Sequence, residues 1–428
     1  MSDRCRIIGV LDNGAAGMTA DALRRIHEAE LVIGATRTLN LLAADIDVNA
    51  EQRDLSGQLT QVPSWVAQAL EQGLSVVVLA SGDPLCHGIA AYLAGKLDRS
   101  ALEIIPNVST LQWAFARLGL SWQHAAIASV HSRDAGEWVS GAGPEHGLYA
   151  LLQQLRNATL VAAFTSPQNS PDRIARMLLA EGLAPEFEIL IAQHLLQNDE
   201  CLSDWLSIEQ AALQQFADPN IVILHRKQPQ PDEALFGLPD ERFHQRTPER
   251  GLITKREVRA VSLARLELRA HSIVWDIGAG SGAVGLEASR LCPQGHVYAV
   301  EKNEADYAIA LNNRASLKAS NYTLIHGRAP ADISAWPDAD AIFIGGSGGE
   351  LRELILLCLQ RLRSSGRLVM NFVTIENLAT AVETLKESGA PWDVTQLQAS
   401  RSRPILDLHR MQAENPVWII SAEKPDNE

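Results

Sequence analysis

The stretch IVWDIGAGSGAVGLE, residues 273–287, sets Asp276 and three alternating glycines, Gly278, Gly280 and Gly282, between an apolar run and a helical pattern. Ala279 and Ser281 fill the turn, and the helix beyond offers free backbone N–H groups. Glycine tolerates positive φ and leaves no Cβ between backbone and ligand. Glu301 ends the next apolar run, HVYAVEK, where a carboxylate can accept both hydroxyls of a ribose. Two ligands fit this chemistry. Gly280, Gly282 and Gly285 formally satisfy the dinucleotide pattern G-x-G-x-x-G. Asp276 favours S-adenosylmethionine instead, because a carboxylate repels a pyrophosphate but suits a cationic amino acid end. On that reading the Gly285 match is incidental. A helix beginning at Thr254 precedes the first strand and can cover the methionine end. The run Gly345-Gly346-Ser347-Gly348-Gly349 ends a later strand and leaves room for a bulky substrate.

The first half carries a different pair of loops. In SGDPLCHG, an apolar run delivers Gly82, Asp83 and Pro84 at the end of a strand, where α/β sheets bind ligands. In IPNVST, Ser109 and Thr110 stand as helix caps or ligand contacts. Either loop alone also reads as ordinary turn chemistry. Candidate substrate contacts are His87 and His131 in the first half and Asn371, Arg401 and Arg403 in the second. Arg256 and Arg259 lie on the helix after Thr254, and Arg259 reads equally as a surface ion pair. No catalytic acid or base declares itself.

These residues need strands to hold them. Apolar runs at 7–10 and 31–35, in SVVVLASGDP at 75–84, LEIIPNVST at 102–110, ATLVAAFTSPQNSP at 158–171, FEILIAQHL at 187–195 and PNIVILH at 219–225 alternate with helical patterns. A second series of alternating elements starts after residue 250, in the order expected of a doubly wound sheet. Residues 226–250 are rich in Pro, Arg, Asp and Glu and have no periodicity. The reading is an α/β chain with a first domain over 1–228, a linker over 229–250 and a second domain over 251–428. Phe236 and Phe243 suggest that the linker packs on something.

A formal net charge of -14 argues against a nucleic-acid partner. It leaves room for an anionic small substrate held by local arginines. The five cysteines are scattered without metal spacing, which predicts free thiols in a reducing cytoplasm and no metal site. No signal segment and no membrane partner are expected.

Taken in order, the first-half loops resemble the tetrapyrrole methylase family, whose members carry a Gly-rich N-terminal loop, a GDP loop and an I-P-x-x-S/T loop. SWQHAAIASVHSR at 121–133 resembles its cobalamin branch. The second half resembles the decarboxylating precorrin methyltransferases through ITKREVRAVSLARLEL, VWDIGAGSG, VYAVEK and FIGGSGG, with LFGLPDERF before it. The resemblance implies a two-part tetrapyrrole methylase fold followed by a Rossmann-like class I methyltransferase sheet. It implies two S-adenosylmethionine sites and methylation of a precorrin-6 type macrocycle at C5 and C15, with loss of the ring C acetate carboxyl to give precorrin-8. It assigns C5 to the first domain, C15 and decarboxylation to the second, and a homo-oligomer as the assembly. Leu11, Asn107 and Ser132 depart from glycines common in the family. Arg328 stands where many methyltransferases have an acid beside adenine, so contact there is expected through the backbone near Ala329. The alternatives are a nicotinamide-dependent oxidoreductase and a non-catalytic S-adenosylmethionine-binding protein.

Overall fold

The computed structural model describes residues 4–131, 134–229, 233–246, 253–346 and 349–424. The chain forms two compact units. The first comprises residues 1–134, 157–176 and 186–227, and the second residues 135–156, 177–185 and 228–428. This is not a single cut near residue 228. Two segments of the first half, 135–156 and 177–185, pack with the second unit.

In the first unit, β1 (Cys5–Val10), β2 (Leu31–Gly34), β3 (Glu51–Asp54), β4 (Val76–Ser81) and β5 (Leu102–Ile105) form a parallel sheet ordered β3-β2-β4-β1-β5. Runs such as Val76–Val77–Val78 are apolar on both faces because separate core clusters cover both sides of the sheet. A second, mixed sheet holds β6 (Ala126–Ser129), β7 (Leu160–Phe164), β8 (Phe187–Gln193), β9 (Cys201–Leu202), β10 (Leu206–Ser207) and β11 (Asn220–Arg226). The helix Thr110–Leu118 follows β5 and buries Leu111, Ala114 and Phe115 against that second sheet.

The second unit is a seven-stranded sheet. Its strands are β12 (Ile273–Ile277), β13 (His296–Glu301), β14 (Tyr322–His326), β15 (Ala339–Ile344), β16 (Leu362–Phe372), β17 (Trp392–Leu397) and β20 (Val417–Glu423). Their order is β14-β13-β12-β15-β16-β20-β17. All run parallel except β20, which lies antiparallel between β16 and β17. A separate hairpin, β18 (Ser400–Ile405) and β19 (Leu408–Ala413), interrupts the return from β17 to β20. The alternating pattern predicts the Rossmann-like sheet correctly, but this short polar hairpin carries no hydrophobic period to announce it.

The stretch read as a linker is built into the second unit where it is described. Leu238 and Phe243 sit in the core with Val258, Leu263 and Leu286, whereas Phe236 is exposed. The anchor is Arg259, which is wholly buried rather than a surface ion pair. Its guanidinium pairs with Glu287 at 2.8 Å and Asp240 at 3.0 Å, and donates to the carbonyls of Leu238 (2.5 Å) and Thr254 (2.6 Å). It also stacks over the Phe243 ring. Glu287 in turn accepts the N–H groups of Gly237 and Leu238. Sequence periodicity is blind to this strap because charge pairing and backbone bonds, not an apolar stripe, hold it.

Among the described residues no helix is long and apolar enough to cross a membrane. Removing one partner of a buried ion pair strands the other charge, at a cost of about 3–5 kcal/mol. Arg259→Met should therefore lower the stability of the second unit by about that amount. Chemical denaturation followed by tryptophan fluorescence checks this, and an unchanged midpoint would contradict it.

Candidate active sites

In the second unit, the end of β12 turns sharply into the helix Ala283–Leu291. Gly278, Gly280 and Gly282 have φ of 72°, 57° and 77°, a region that side chains disfavour. The turn is fastened to β13: Gly278 and Ala279 donate their N–H groups to the Val300 carbonyl. Glu301, nearly buried at the end of β13, accepts from Gly280 N at 2.8 Å and Asn303 N at 2.8 Å. Its carboxylate is thus held against the glycine turn, where the sequence reading put a ribose partner. Ser281 is buried, and its carbonyl accepts from Asn313.

The end of β15 closes over the same turn. Gly345 N donates to the Ile277 carbonyl, and a Cβ on Gly278 would come within 2.7 Å of the Gly346 backbone. A Cβ on Gly346 would meet nothing within 4 Å, so that side is open. Ser347 lies outside the described residues. Ala329 packs on the core below its loop, and Asp332 holds that loop by accepting from Arg328 N.

Asp276 takes a role the sequence did not reveal. It is buried, and its Oδ2 accepts from Gly285 N at 3.1 Å, while Oδ1 has no partner. A Cβ on Gly285 would sit 2.3 Å from that Oδ2 and 2.7 Å from the Tyr322 ring. Gly285 is therefore required by packing and is not incidental. The Tyr322 hydroxyl is also buried without a partner, and it borders the space a Cβ on Gly282 would fill. Burial pushes the Asp276 carboxyl up to about 7; the Gly285 N–H opposes the shift and the Glu301 charge adds to it. The left-handed glycine cradle and the adjacent Glu301 carboxylate fit a polar, cationic ligand such as S-adenosylmethionine.

The remaining second-unit candidates divide. Thr254 does not cap its helix: the helix is Arg256–Arg265, Lys255 stands at the N-cap, and the Thr254 carbonyl serves Arg259. Asn371 donates to Ser262 Oγ at 2.9 Å, tying β16 to the cover helix. Arg401 bonds Asp240 at 2.8 Å and Glu257 at 2.5 Å, which makes it a brace rather than a free anion receptor. Arg403 is exposed on the hairpin.

In the first unit, a cleft of about 640 Å³ opens between its two sheets. Gly82, His87, Thr110, His131, Phe164 and Asp218 are among its lining residues. Gly82 has φ 64° and donates to the Val10 carbonyl at 2.7 Å, and a Cβ on Gly9 would collide with the Gly82 carbonyl at 2.3 Å. The GDP loop and the N-terminal loop therefore meet backbone to backbone. Asp83 is spent locally, its Oδ1 accepting from Leu85 N, and the Pro84 carbonyl accepts from Ala90 N. Ser109 is a helix cap: with Gln112 it forms a reciprocal capping box. Asn107 donates to the carbonyls of Gly9 and Gly17 and so laces two loops together.

His87 faces Phe164 edge to face at 6.0 Å and has a φ of 55°. His131 Nδ1 lies 3.3 Å from Ser129 Oγ. Although His131 reaches solvent, the crowding protein holds its pKa below the usual value; Asp218 pulls it up and His87 pushes it down. Arg37 and Asp12 form an ion pair at the cleft wall. Phe164, Asp218 and Arg37 carried no motif, and only the fold brings them to the cleft. Among the described residues no group of three or more His, Cys, Asp or Glu side chains could hold a metal.

Comparison with known proteins agrees with this division of motifs. Residues 4–204 match the family of tetrapyrrole (corrin/porphyrin) methylases, and residues 247–424 match the precorrin methyltransferase domain. The chain is similar to a Sinorhizobium precorrin-6Y C(5,15)-methyltransferase [decarboxylating], 30% identical over 421 residues, covering 96% of this chain and 94% of the relative. It resembles the Mycobacterium tuberculosis protein of that name at 26% identity, covering 97% of this chain and 99% of the relative. A cobalt-precorrin-6B C(15)-methyltransferase (decarboxylating) from Salmonella typhimurium is 40% identical over 176 residues, 41% of this chain and 91% of its own.

An unfolded aspartate titrates near 4, whereas folded Asp276 holds its proton up to about 7. Below about 4 both states are protonated; between about 4 and about 7 only the folded state keeps the proton, so stability falls as pH rises through that window. Asp276→Asn keeps an acceptor for Gly285 and should flatten this dependence. Thermal melts of the ligand-free chain across the window test it; an identical slope in both proteins would refute the assignment.

Proposed function

The chain belongs to the precorrin-6Y C5,15-methyltransferase (decarboxylating) family, and on that premise we propose that it methylates a precorrin-6 type macrocycle at C5 and C15. The same enzyme releases the ring C acetate carboxyl as CO2, giving precorrin-8. It draws on S-adenosylmethionine at two sites, one in each unit. The observation that carries the reading is the second-unit cradle, in which three left-handed glycines face the Glu301 carboxylate beneath the open Gly346.

When bound, S-adenosylmethionine supplies an electrophilic methyl group on a sulfonium. Gly278, Ala279, Gly280, Ser281 and Gly282 would hold its amino acid end, Glu301 its ribose, and the backbone near Ala329 its adenine. In the first unit, Gly82, with Thr110 at the start of the facing helix, would hold the second molecule. The chain's task is chiefly positioning, because the meso carbons of a reduced tetrapyrrole are already enamine-like nucleophiles; orientation alone can be worth several kcal/mol, roughly 7 or more. Methylation forms a carbon–carbon bond at the meso position while the methyl carbon–sulfur bond breaks and its electron pair leaves with the neutral thioether; the meso carbon then gives up its proton. Decarboxylation breaks the bond to the carboxyl carbon, sends the electron pair into the conjugated pyrrole system, and ends with a proton in its place.

The Salmonella typhimurium relative is matched over 176 residues, close to the span of the precorrin methyltransferase match at 247–424, and is named for C15 methylation and decarboxylation. That supports assigning those steps to the second unit and C5 to the first. The working location in this reading is the cytoplasm, with a homo-oligomer as the assembly.

The test keeps the chain whole, since Gly237 and Leu238 are bonded to Glu287. The wild-type chain, given S-adenosylmethionine and the reduced precorrin, should yield a product carrying both added methyl groups and lacking one carboxyl by mass spectrometry. Gly278→Val, whose side chain would strike the Gly346 backbone, should abolish C15 methylation and CO2 loss while sparing C5. Gly82→Val should do the reverse. A wild-type chain that adds no methyl group would sink the proposal, and loss of both methylations in either variant would sink the division of labour.

A further inference from the structure

The hairpin β18–β19 stands out in an acidic chain. Arg403 lies directly opposite Arg410, and Ile405 directly opposite Leu408. Opposed residues of an antiparallel pair share a face, and residues two apart along a strand share it too. One face therefore carries Arg403, Arg410, Ile405 and Leu408, with Arg401 and Gln412 at its base. Arg401 fixes which way that face turns. Its bonds to Asp240 and Glu257 direct it toward the start of the cover helix.

The hairpin also emerges at a telling place. β17 ends at Leu397 opposite Val417, and the next residue of β20, Trp418, lies opposite Phe372 at the carboxyl end of β16. β16 runs parallel to β15 and β12, so this is the edge of the sheet that carries the glycine turn and Gly346. Among the described residues neither Arg403 nor Arg410 has an acidic partner, although the chain's net charge is -14. Like charges directly opposed in a ladder weaken it unless an anion bridges them. Ile405 and Leu408, beside them, are 48% and 72% exposed.

Resting on the functional reading above, we propose that this hairpin face is the platform that receives the macrocycle in the second unit. Arg403 and Arg410 are paired anchors for its peripheral carboxylates, and Ile405 with Leu408 meets the apolar ring. The chemistry matches on both counts: guanidinium groups bind carboxylates through paired N–H donors, and aliphatic side chains suit a flat conjugated ring. Sequence alone paired Arg403 with Arg401; the register replaces Arg401 with Arg410.

The experiment uses the full chain and the double variant Arg403→Gln/Arg410→Gln. Reduced precorrin-6Y is titrated by absorbance in the presence of S-adenosylhomocysteine, whose own binding is measured by calorimetry. The variant should lose about tenfold or more in precorrin affinity and much of its salt dependence, with S-adenosylhomocysteine affinity unchanged and the melting temperature not lowered. Arg403→Lys/Arg410→Lys should recover part of the loss. Undiminished precorrin affinity in the glutamine variant overturns the platform while leaving the functional reading intact. A wild-type chain that binds S-adenosylhomocysteine but no precorrin overturns both.

Discussion

The second unit is organised around one buried guanidinium. Arg259 has no access to solvent, yet both its acidic partners and two carbonyls reach it, and an aromatic ring covers it. Such a cluster gains little net stability, since desolvation offsets most of its Coulomb energy. What it gives is geometry. Glu287 fixes the helix that follows the glycine turn, Leu238 and Asp240 fix the strap, and Asp240 passes the constraint to Arg401 at the foot of the hairpin. The cover helix, the cofactor helix and the hairpin are thereby set relative to one another without sharing an apolar stripe.

The glycine turn shows the same economy at a smaller scale. The Gly346 backbone leaves no room for a Cβ at Gly278, the Asp276 and Tyr322 side chains leave none at Gly285, and Glu301 is oriented by Gly280 and Asn303. Asp276 is less an outward receptor than a buried strut under the turn; burial pushes its carboxyl toward the neutral form against the single N–H bond from Gly285. A buried polar group left half satisfied is costly, and active sites are where such costs are tolerated.

The first unit positions its candidates differently. Its cleft lies between a parallel and a mixed sheet, and its loops are knotted by backbone contact and by one amide. Asn107 reaches the carbonyls of Gly9 and Gly17 and so tethers the loops that carry them. Ser109 is absorbed by its capping box, whereas Thr110, His87 and His131, also read from the sequence, line the cleft.

Much of the fold and part of the site were legible in the residues themselves. Apolar periodicity identified the alternating strands and helices, and the positive φ that only glycine adopts cheaply identified the turn at Gly278, Gly280 and Gly282, with Glu301 after it. These are local signals, fixed by backbone sterics and by burial of neighbours along the chain. The rest depends on contacts between residues far apart in sequence. The strap over 233–246 reads as a linker because its anchors are charges and backbone groups; Thr254 reads as a cap though its carbonyl serves Arg259; Arg401 reads as a substrate arginine though acids from two other segments neutralise it. The need for Gly285, the membership of residues 135–156 and 177–185 in the second unit, and the facing of Arg403 with Arg410 follow only from packing and register. Sequence spacing states which residues can do chemistry, and the tertiary structure decides which of them remain free to do it.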